Sequence, residues 1–257
     1  MMEHAADPSH PRYKSLLMRA RLELAAKAGM LADSALIAHG RGEAFDYLLG
    51  EKTCDSALQA TKEAAARLRS AKRPVISLNG NAIALAADDL LKCAALMEGN
   101  VEVNIFYRTP ERMMALVDFL REAKERMVST IPERWKEKGK AVKILGTEPD
   151  ARIPGLEGPR AKCHSNGILA ADVLLVPLED GDRCEALVDL GKDVIVVDLN
   201  PMSRSARMAT VTVVDELSRF ASNLFLQLQH PEPINEGWDN GNILQLALDD
   251  MKKRTVF

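Results

Sequence analysis

The sequence predicts an α/β protein: a Rossmann-like, open, mostly parallel sheet with helices on both faces, preceded by a helical N-terminal segment. Three observations carry that prediction. Short runs such as PVISL, DVLLV and DVIVV are continuously apolar and rich in Val and Ile, as strands covered on both faces must be. Helical periodicity alternates with these runs from Pro74 onward, and a helix between two strands makes the strands parallel. Polar, turn-forming residues close three of the runs, at LNGN, LEDGDR and DLNPMSRS.

Taken in order, residues 11–30 read as a helix with Pro11 in its first turn and Gly29 at its end. SALIAHGRGEAFDYLLGE then passes from a short apolar run through a glycine-flanked arginine into a second helical pattern, which continues through TCDSALQATKEAAARLRSAKR. From Pro74, PVISLNGN is a buried strand ended by an Asn-Gly turn, and Ile83, Ala87, Leu90, Ala94 and Met97 follow at helical spacing. The unit repeats: VEVNIFY is a strand, Thr109 and Pro110 open a helix, and Met113, Leu116, Val117, Leu120 and Ala123 form its buried stripe. Beyond the charged ERWKEKGK come a strand, AVKILG, and a long loop, TEPDARIPGLEGPRAKCHSNG. ADVLLVPLED is a strand, residues 183–190 a short helix and KDVIVVDLN a further strand. TVTVV precedes a helix from Asp215 to Leu228, and NILQLALDDMKK ends the chain as another helix. A single α/β domain over residues 1–257 is expected, with a helical part at 1–72, the sheet core at 73–228 and a helical tail at 229–257.

With 257 residues and 47% hydrophobic content the chain can bury a large core. Lys and Arg number 34 against 37 Asp and Glu, a formal charge of -3, so no global positive field would hold nucleic acid or an anionic membrane. Any phosphate must be met by local cations and backbone amides. Neither a signal or transit pattern nor a run of about eighteen apolar residues is present, so a soluble cytoplasmic protein is expected. Cys54, Cys93, Cys163 and Cys184 are scattered and read as reduced thiols, and the histidines at 4, 10, 39, 164 and 230 lack metal-ligand spacing. GxxxxGK[ST], GxGxxG before a helix, GxSxG and HExxH are all missing, which removes the P-loop, standard dinucleotide, hydrolase-elbow and zinc-protease readings.

In parallel sheets ligands collect beyond the carboxyl ends of strands, at helix N-termini with free N–H groups. In DLNPMSRS, Asp198, Leu199 and Asn200 end a strand while Ser203, Arg204 and Ser205 stand where a helix begins, a set suited to an anion or nucleotide. An Asx turn with a serine cap would produce the same string. Glu179, Asp180 and Asp182 surround a glycine turn and can hold magnesium, a ribose or an amine, or simply cap the helix. In HGRGE the glycines beside Arg41 would let backbone approach a ligand while the guanidinium reaches phosphate. His39 and Glu43 could there carry a proton; the bland alternative is a helix–helix connector. Arg108, Lys143 and Arg152 also follow strands or lie in the long loop, as phosphate contacts or as solvated charges.

SHPRYKSLLMR, AHGRGEAFDYLLGE, PVISLNGN, NIFYRT, RIPGLE, the long string from ADVLLVPLEDGDR through LNPMSRSARMATVTVVDEL, and DNGNILQLAL together resemble the archaeal phosphopantothenate synthetase family over nearly the whole chain. The resemblance implies a homodimeric enzyme of coenzyme A biosynthesis. It would join 4-phosphopantoate to beta-alanine with ATP and Mg2+, through an acyl-adenylate, releasing AMP and pyrophosphate. It further implies ATP contacts at Arg19, Arg41, Asp198, Leu199, Asn200, Arg204, Ser205, Glu216 and Leu217, with Arg41, His39, Glu43, Asp180 and Asp182 as candidates for catalysis and the magnesium ligands left unassigned. Glu216 stands where Asn is common in the family and Thr210 where Asp is usual. A non-catalytic nucleotide-binding regulatory α/β protein is the alternative, and an ADP-forming ligase a second.

Overall fold

The computed structural model describes residues 7–178 and 180–255; Glu179 of the acidic turn and His4 lie outside the described residues. Three helices come first, α1 (Tyr13–Lys27), α2 (Ser34–Leu49) and α3 (Asp55–Ser70). Strand–helix units follow: β1 (Pro74–Leu78), α4 (Gly80–Leu96), β2 (Asn100–Val103), α5 (Pro110–Thr130), α6 (Lys136–Ala141) and β3 (Ile144–Leu145). A short pair, β4 (Ala151–Arg152) and β5 (Lys162–Cys163), precedes β6 (Val173–Pro177), α7 (Gly181–Asp189), β7 (Asp193–Val197), α8 (Arg204–Met208), β8 (Val211–Val213), α9 (Leu217–Gln229) and α10 (Asn240–Thr255). The main sheet runs β3-β2-β1-β6-β7-β8, all neighbours parallel. The order reverses between β1 and β6, which makes the crevice above that pair the topological switch point.

The period-2 alternation of strand side chains divides the core into two layers. Ile76, Leu78, Leu175, Ile195 and Val197 face one cluster with residues of α3, α4, α5 and α9. Val75, Leu174, Val176, Val194 and Val196 face another, closed by Cys184 and Leu187 of α7 and by Ile153, Cys163 and Ile168 of the long central segment. Polar groups buried in this second layer link segments distant in sequence. Arg183, 1% exposed, donates to Ser77 Oγ at 2.9 Å, and Glu102 accepts the N–H groups of His164 and Ile168 at 2.8 and 2.7 Å. Glu102 thereby fastens the central segment to β2, although burial pushes its carboxyl above the usual range. At the sheet edge Asn240 Oδ1 accepts the Thr212 N–H at 2.7 Å, closing a donor that β8 would otherwise offer to a foreign strand.

The structure corrects several expectations. HGRG is neither a loop nor a connector, because α2 runs unbroken through Gly40, Arg41 and Gly42 and ends only at Gly50, whose φ of 76° suits a glycine C-cap. A Cβ at Gly40 would meet nothing within 4 Å, and one at Gly42 would meet Leu199 Cδ1 at an ordinary 3.5 Å, so neither glycine is required by the packing of the protein itself. VEVNIFY stops pairing after Val103 and AVKILG pairs only at Ile144–Leu145, since β3 is an edge strand with a single neighbour. The loop 147–167 contains the antiparallel pair β4–β5. Thr210 Oγ1 accepts the Val194 N–H at 3.0 Å, an acceptor's role that a carboxylate would also fill.

Candidate functional site

Four adjacent strands, β1, β6, β7 and β8, each deliver the chain to a helix N-terminus on the same rim of the sheet. At three of these termini an oxygen-bearing side chain holds the first turn. Asn79 Oδ1 accepts from Ala82 N at 2.9 Å, Ser203 Oγ from Ala206 N at 3.0 Å, and Glu216 from Ser218 N and Arg219 N at 2.9 and 3.1 Å. Glu216, 4% exposed, therefore acts first as a cap. Asn79 also donates to the carbonyls of Pro177 and Leu178 at 3.1 and 2.9 Å, stitching β1 to β6 across the switch point. Leu178 itself is left-handed, with φ of 55°, a conformation that costs a branched residue free energy and clusters at functional turns.

Two glycines make the rim compact. A Cβ at Gly80 would lie 2.6 Å from Leu31 Cδ2 and 3.2 Å from Met30 O, and one at Gly181 would lie 2.7 Å from Arg204 Cβ. Only glycine lets α4 start beneath the 30–31 turn and α7 start against α8.

Between this rim and α2 lies a cavity of about 420 Å3. Its α2 wall carries His39, Arg41 and Glu43; its floor carries Asn79, Gly80 and Asn81; Leu178, Asp180, Leu199, Glu216 and Leu217 complete the strand-end side, and Arg112 and Arg160 the far side. Glu43 is a hub. It accepts from Arg12 Nη2 at 2.9 Å, Arg19 Nη2 at 2.8 Å and Ser15 Oγ. Burial raises its carboxyl, but the hydrogen bonds from Ser15 and Arg19 and the charges of Arg19 and Arg12 outweigh that and hold it below its ordinary value. His39 is pushed below the usual imidazole value, by burial first and by Arg19 as well, against the pull of Glu43, Glu216 and Asp46. A neutral imidazole able to accept a proton results.

The residues nominated from sequence thus divide. His39, Arg41, Glu43, Asp180, Leu199, Glu216 and Leu217 line the cavity, and Arg19 reaches it through Glu43. Asp182, Asp198, Asn200, Arg204 and Ser205 sit on the same rim outside the lining. Arg204 is bound by Asp182 and Glu185, Ser205 is buried, and Asp198 accepts from Asn200 N at 2.9 Å and Ser203 Oγ at 2.5 Å, with burial pushing its carboxyl up. Asp180 is paired with Arg160 Nη1 at 2.7 Å. Arg108 and Arg152 line a smaller pocket of about 340 Å3 together with Lys162, whereas Lys143 is exposed near the sheet edge.

Sequence reasoning did not nominate Asn79, Asn81, Arg112 or Arg160. Arg112 carried a signal: it lies in the first turn of α5, where a cation opposes the helix dipole and so requires a reason to be there. Arg160 carried none, since its 7% exposure is created by chain segments distant in sequence. Among the described residues no group of three or more His, Cys, Asp or Glu side chains could hold a metal ion, and no helix is long and apolar enough to cross a membrane.

Comparison with known proteins matches residues 56–254 to a family model described as phosphopantothenate/pantothenate synthetase. Four relatives carry the name 4-phosphopantoate–beta-alanine ligase, of which three follow. That of Thermococcus onnurineus is 48% identical over 254 residues, covering 96% of this chain and 92% of its own. That of Thermococcus kodakarensis is 49% identical over 211 residues, covering 82% and 75%. That of Methanosarcina mazei is 42% identical over 252 residues, covering 95% and 93%.

Proposed function

Because the chain belongs to the phosphopantothenate/pantothenate synthetase family, we propose that it is a 4-phosphopantoate–beta-alanine ligase of coenzyme A biosynthesis, driven by ATP. The observation that carries this reading is one cavity in which helix N-termini and two arginines, Arg41 and Arg160, converge at the switch point. Both anionic substrates repel one another, so bringing them together rests on fixed positive charge and backbone N–H groups. In this reading ATP lies along the β7 and β8 ends, against Asp198–Asn200, Ser203–Ser205 and Glu216–Leu217, with Arg19 and Arg41 above it. Magnesium would enter with the triphosphate and offset part of its charge. It would need only one or two protein carboxylates; Asp182, with a side chain 73% exposed, could serve by leaving its pair with Arg204.

The carboxylate of 4-phosphopantoate attacks the α-phosphorus of ATP, the bond to pyrophosphate breaks, and an acyl-adenylate forms. Arg41, exposed on α2 at the cavity mouth, meets the charge that develops on the phosphoryl oxygens. Arg160 keeps Asp180 aligned beside the start of α7. Beta-alanine then displaces AMP. Glu43, saturated by Arg12, Arg19 and Ser15, positions Arg19 rather than accepting a proton; His39, held neutral, is the better proton acceptor. Homodimerisation is part of the proposal and is supported by the outer face of α2, where Ile37 and Tyr47 are 68% and 64% exposed beside Leu36 and Leu48. Sedimentation velocity reading a monomer at micromolar protein would remove it.

The test of the activity is incubation with ATP, magnesium, 4-phosphopantoate and beta-alanine. AMP and pyrophosphate should appear only when 4-phosphopantoate is present. ADP as product would replace the adenylate by an acyl phosphate, and nucleotide binding without turnover would leave a regulatory protein.

A further inference from the structure

Three polar atoms of residues lining the cavity are buried and meet no hydrogen-bond partner: Asn81 Oδ1, His39 Nε2 and Arg112 Nε. Buried polar groups are nearly always satisfied, so three unmet ones around one cavity point to a ligand that supplies the missing halves. The chemistry of that ligand can be read from them. Asn81, 9% exposed, donates one amide N–H to the Ala35 carbonyl at 3.0 Å, which fixes the side chain, and its buried oxygen is an acceptor in want of a donor. The neutral His39 imidazole offers a second acceptor. Arg112 has one arm fixed by the Tyr107 carbonyl at 2.7 Å, and its Nε–H is a cationic donor without an acceptor.

Two acceptors and a guanidinium around one cavity complement a small zwitterion, with N–H donors at one end and a carboxylate at the other. Among the three substrates of the proposed reaction beta-alanine alone carries an ammonium, a cationic donor suited to the two acceptors, beside a carboxylate for Arg112. Resting on the ligase reading, we infer that Asn81, His39 and Arg112 form the beta-alanine subsite: Asn81 Oδ1 receives the ammonium, Arg112 the carboxylate, and His39 Nε2 one ammonium proton. Loss of that proton frees the nitrogen lone pair, which bonds to the acyl carbon. The acyl carbon–oxygen bond to the adenylate breaks with its electron pair leaving on AMP, and the second nitrogen proton passes to solvent.

The two half-reactions separate this subsite from the rest of the site. In Asn81→Ala and Arg112→Ala the KM for beta-alanine should rise at least about tenfold, the loss of one buried hydrogen bond to a charged group. Exchange of labelled pyrophosphate into ATP, which needs 4-phosphopantoate but no beta-alanine, should stay within about twofold of wild type. Exchange that falls in parallel with synthesis would assign these residues to the first half-reaction and overturn the inference, as would an unchanged KM for beta-alanine. A wild-type enzyme without exchange or AMP release would instead remove the ligase reading itself. Should a variant fail to fold, beta-alaninamide decides with wild type and Arg112→Lys alone. Lacking the carboxylate, it should be used at least about tenfold less well than beta-alanine by wild type, and the gap should narrow in Arg112→Lys, whose ammonium reaches a carboxylate less directly. Equal use of both compounds by wild type would overturn the assignment of Arg112.

Discussion

Two sets of polar groups meet α2, one through Asp46 and one around the cavity that His39 lines, and they are built on opposite terms. Beneath it, Arg219 of α9 donates to Asp46 at 2.5 and 3.1 Å and to Asp215 at 2.7 and 2.9 Å, while Asp215 also accepts from Thr53 Oγ1 at 2.6 Å. Asp46 and Asp215 are 3% and 1% exposed, and burial lifts both carboxyls while the guanidinium pulls them down. Beside it, Asn81, His39 and Arg112 keep polar atoms without partners. A satisfied cluster is architecture, joining α2, the end of β8 and α9 into one unit. An unsatisfied one fits the subsite inferred above, and the difference lies in the hydrogen-bond inventory rather than in residue type.

The sharpest way to break that comparison is Arg219→Met. It strands two buried carboxylates and should cost about 3–5 kcal/mol of stability, read as a fall in the urea midpoint. A loss under about 1 kcal/mol would show that the cluster is not holding the helices together. Arg41→Ala should act on the other side of the divide, lowering kcat/KM for ATP by about 2–4 kcal/mol of transition-state stabilisation while the urea midpoint stays put, since Arg41 is exposed. Normal activity would remove Arg41 from the site. Gly181→Ala, whose new Cβ would meet Arg204 Cβ, should cost about 1–3 kcal/mol by overpacking. If calorimetry finds it silent, the α7 start can shift away from α8.

The smallest effect concerns His39. Burial lowers its folded value below the ordinary 6.5, so as the pH falls through 6.5 the unfolded chain takes up a proton that the folded protein resists. Stability present above 6.5 is therefore lost toward the lowered folded value, and His39→Gln should flatten this part of the stability curve between pH 7 and 5. An unaltered slope would mean that the imidazole is not kept neutral by its surroundings.

Local pattern in the sequence was enough for the α/β class, the alternation that makes β1, β2, β6, β7 and β8 parallel, and the polar strand ends. Periodicity, cap residues and apolar runs act within a few residues and need no knowledge of the rest of the chain. Ser203, Asn79 and Thr109 were legible as helix starts for this reason, and so were the polar strand ends that hold Asp180 and Asp198, whereas Glu216 was nominated through the family resemblance. The tertiary structure decided what depends on distant neighbours. It made HGRG a continuous helix despite two glycines, because α2 is held by α1, α4 and α10 against its own weak propensity. It buried Arg160 and Asn81, and it paired Asp46 of α2 with Arg219 while His39 Nε2 of the same helix meets no partner. Burial and pairing are properties of segments brought together by folding, and no spacing within one segment records them.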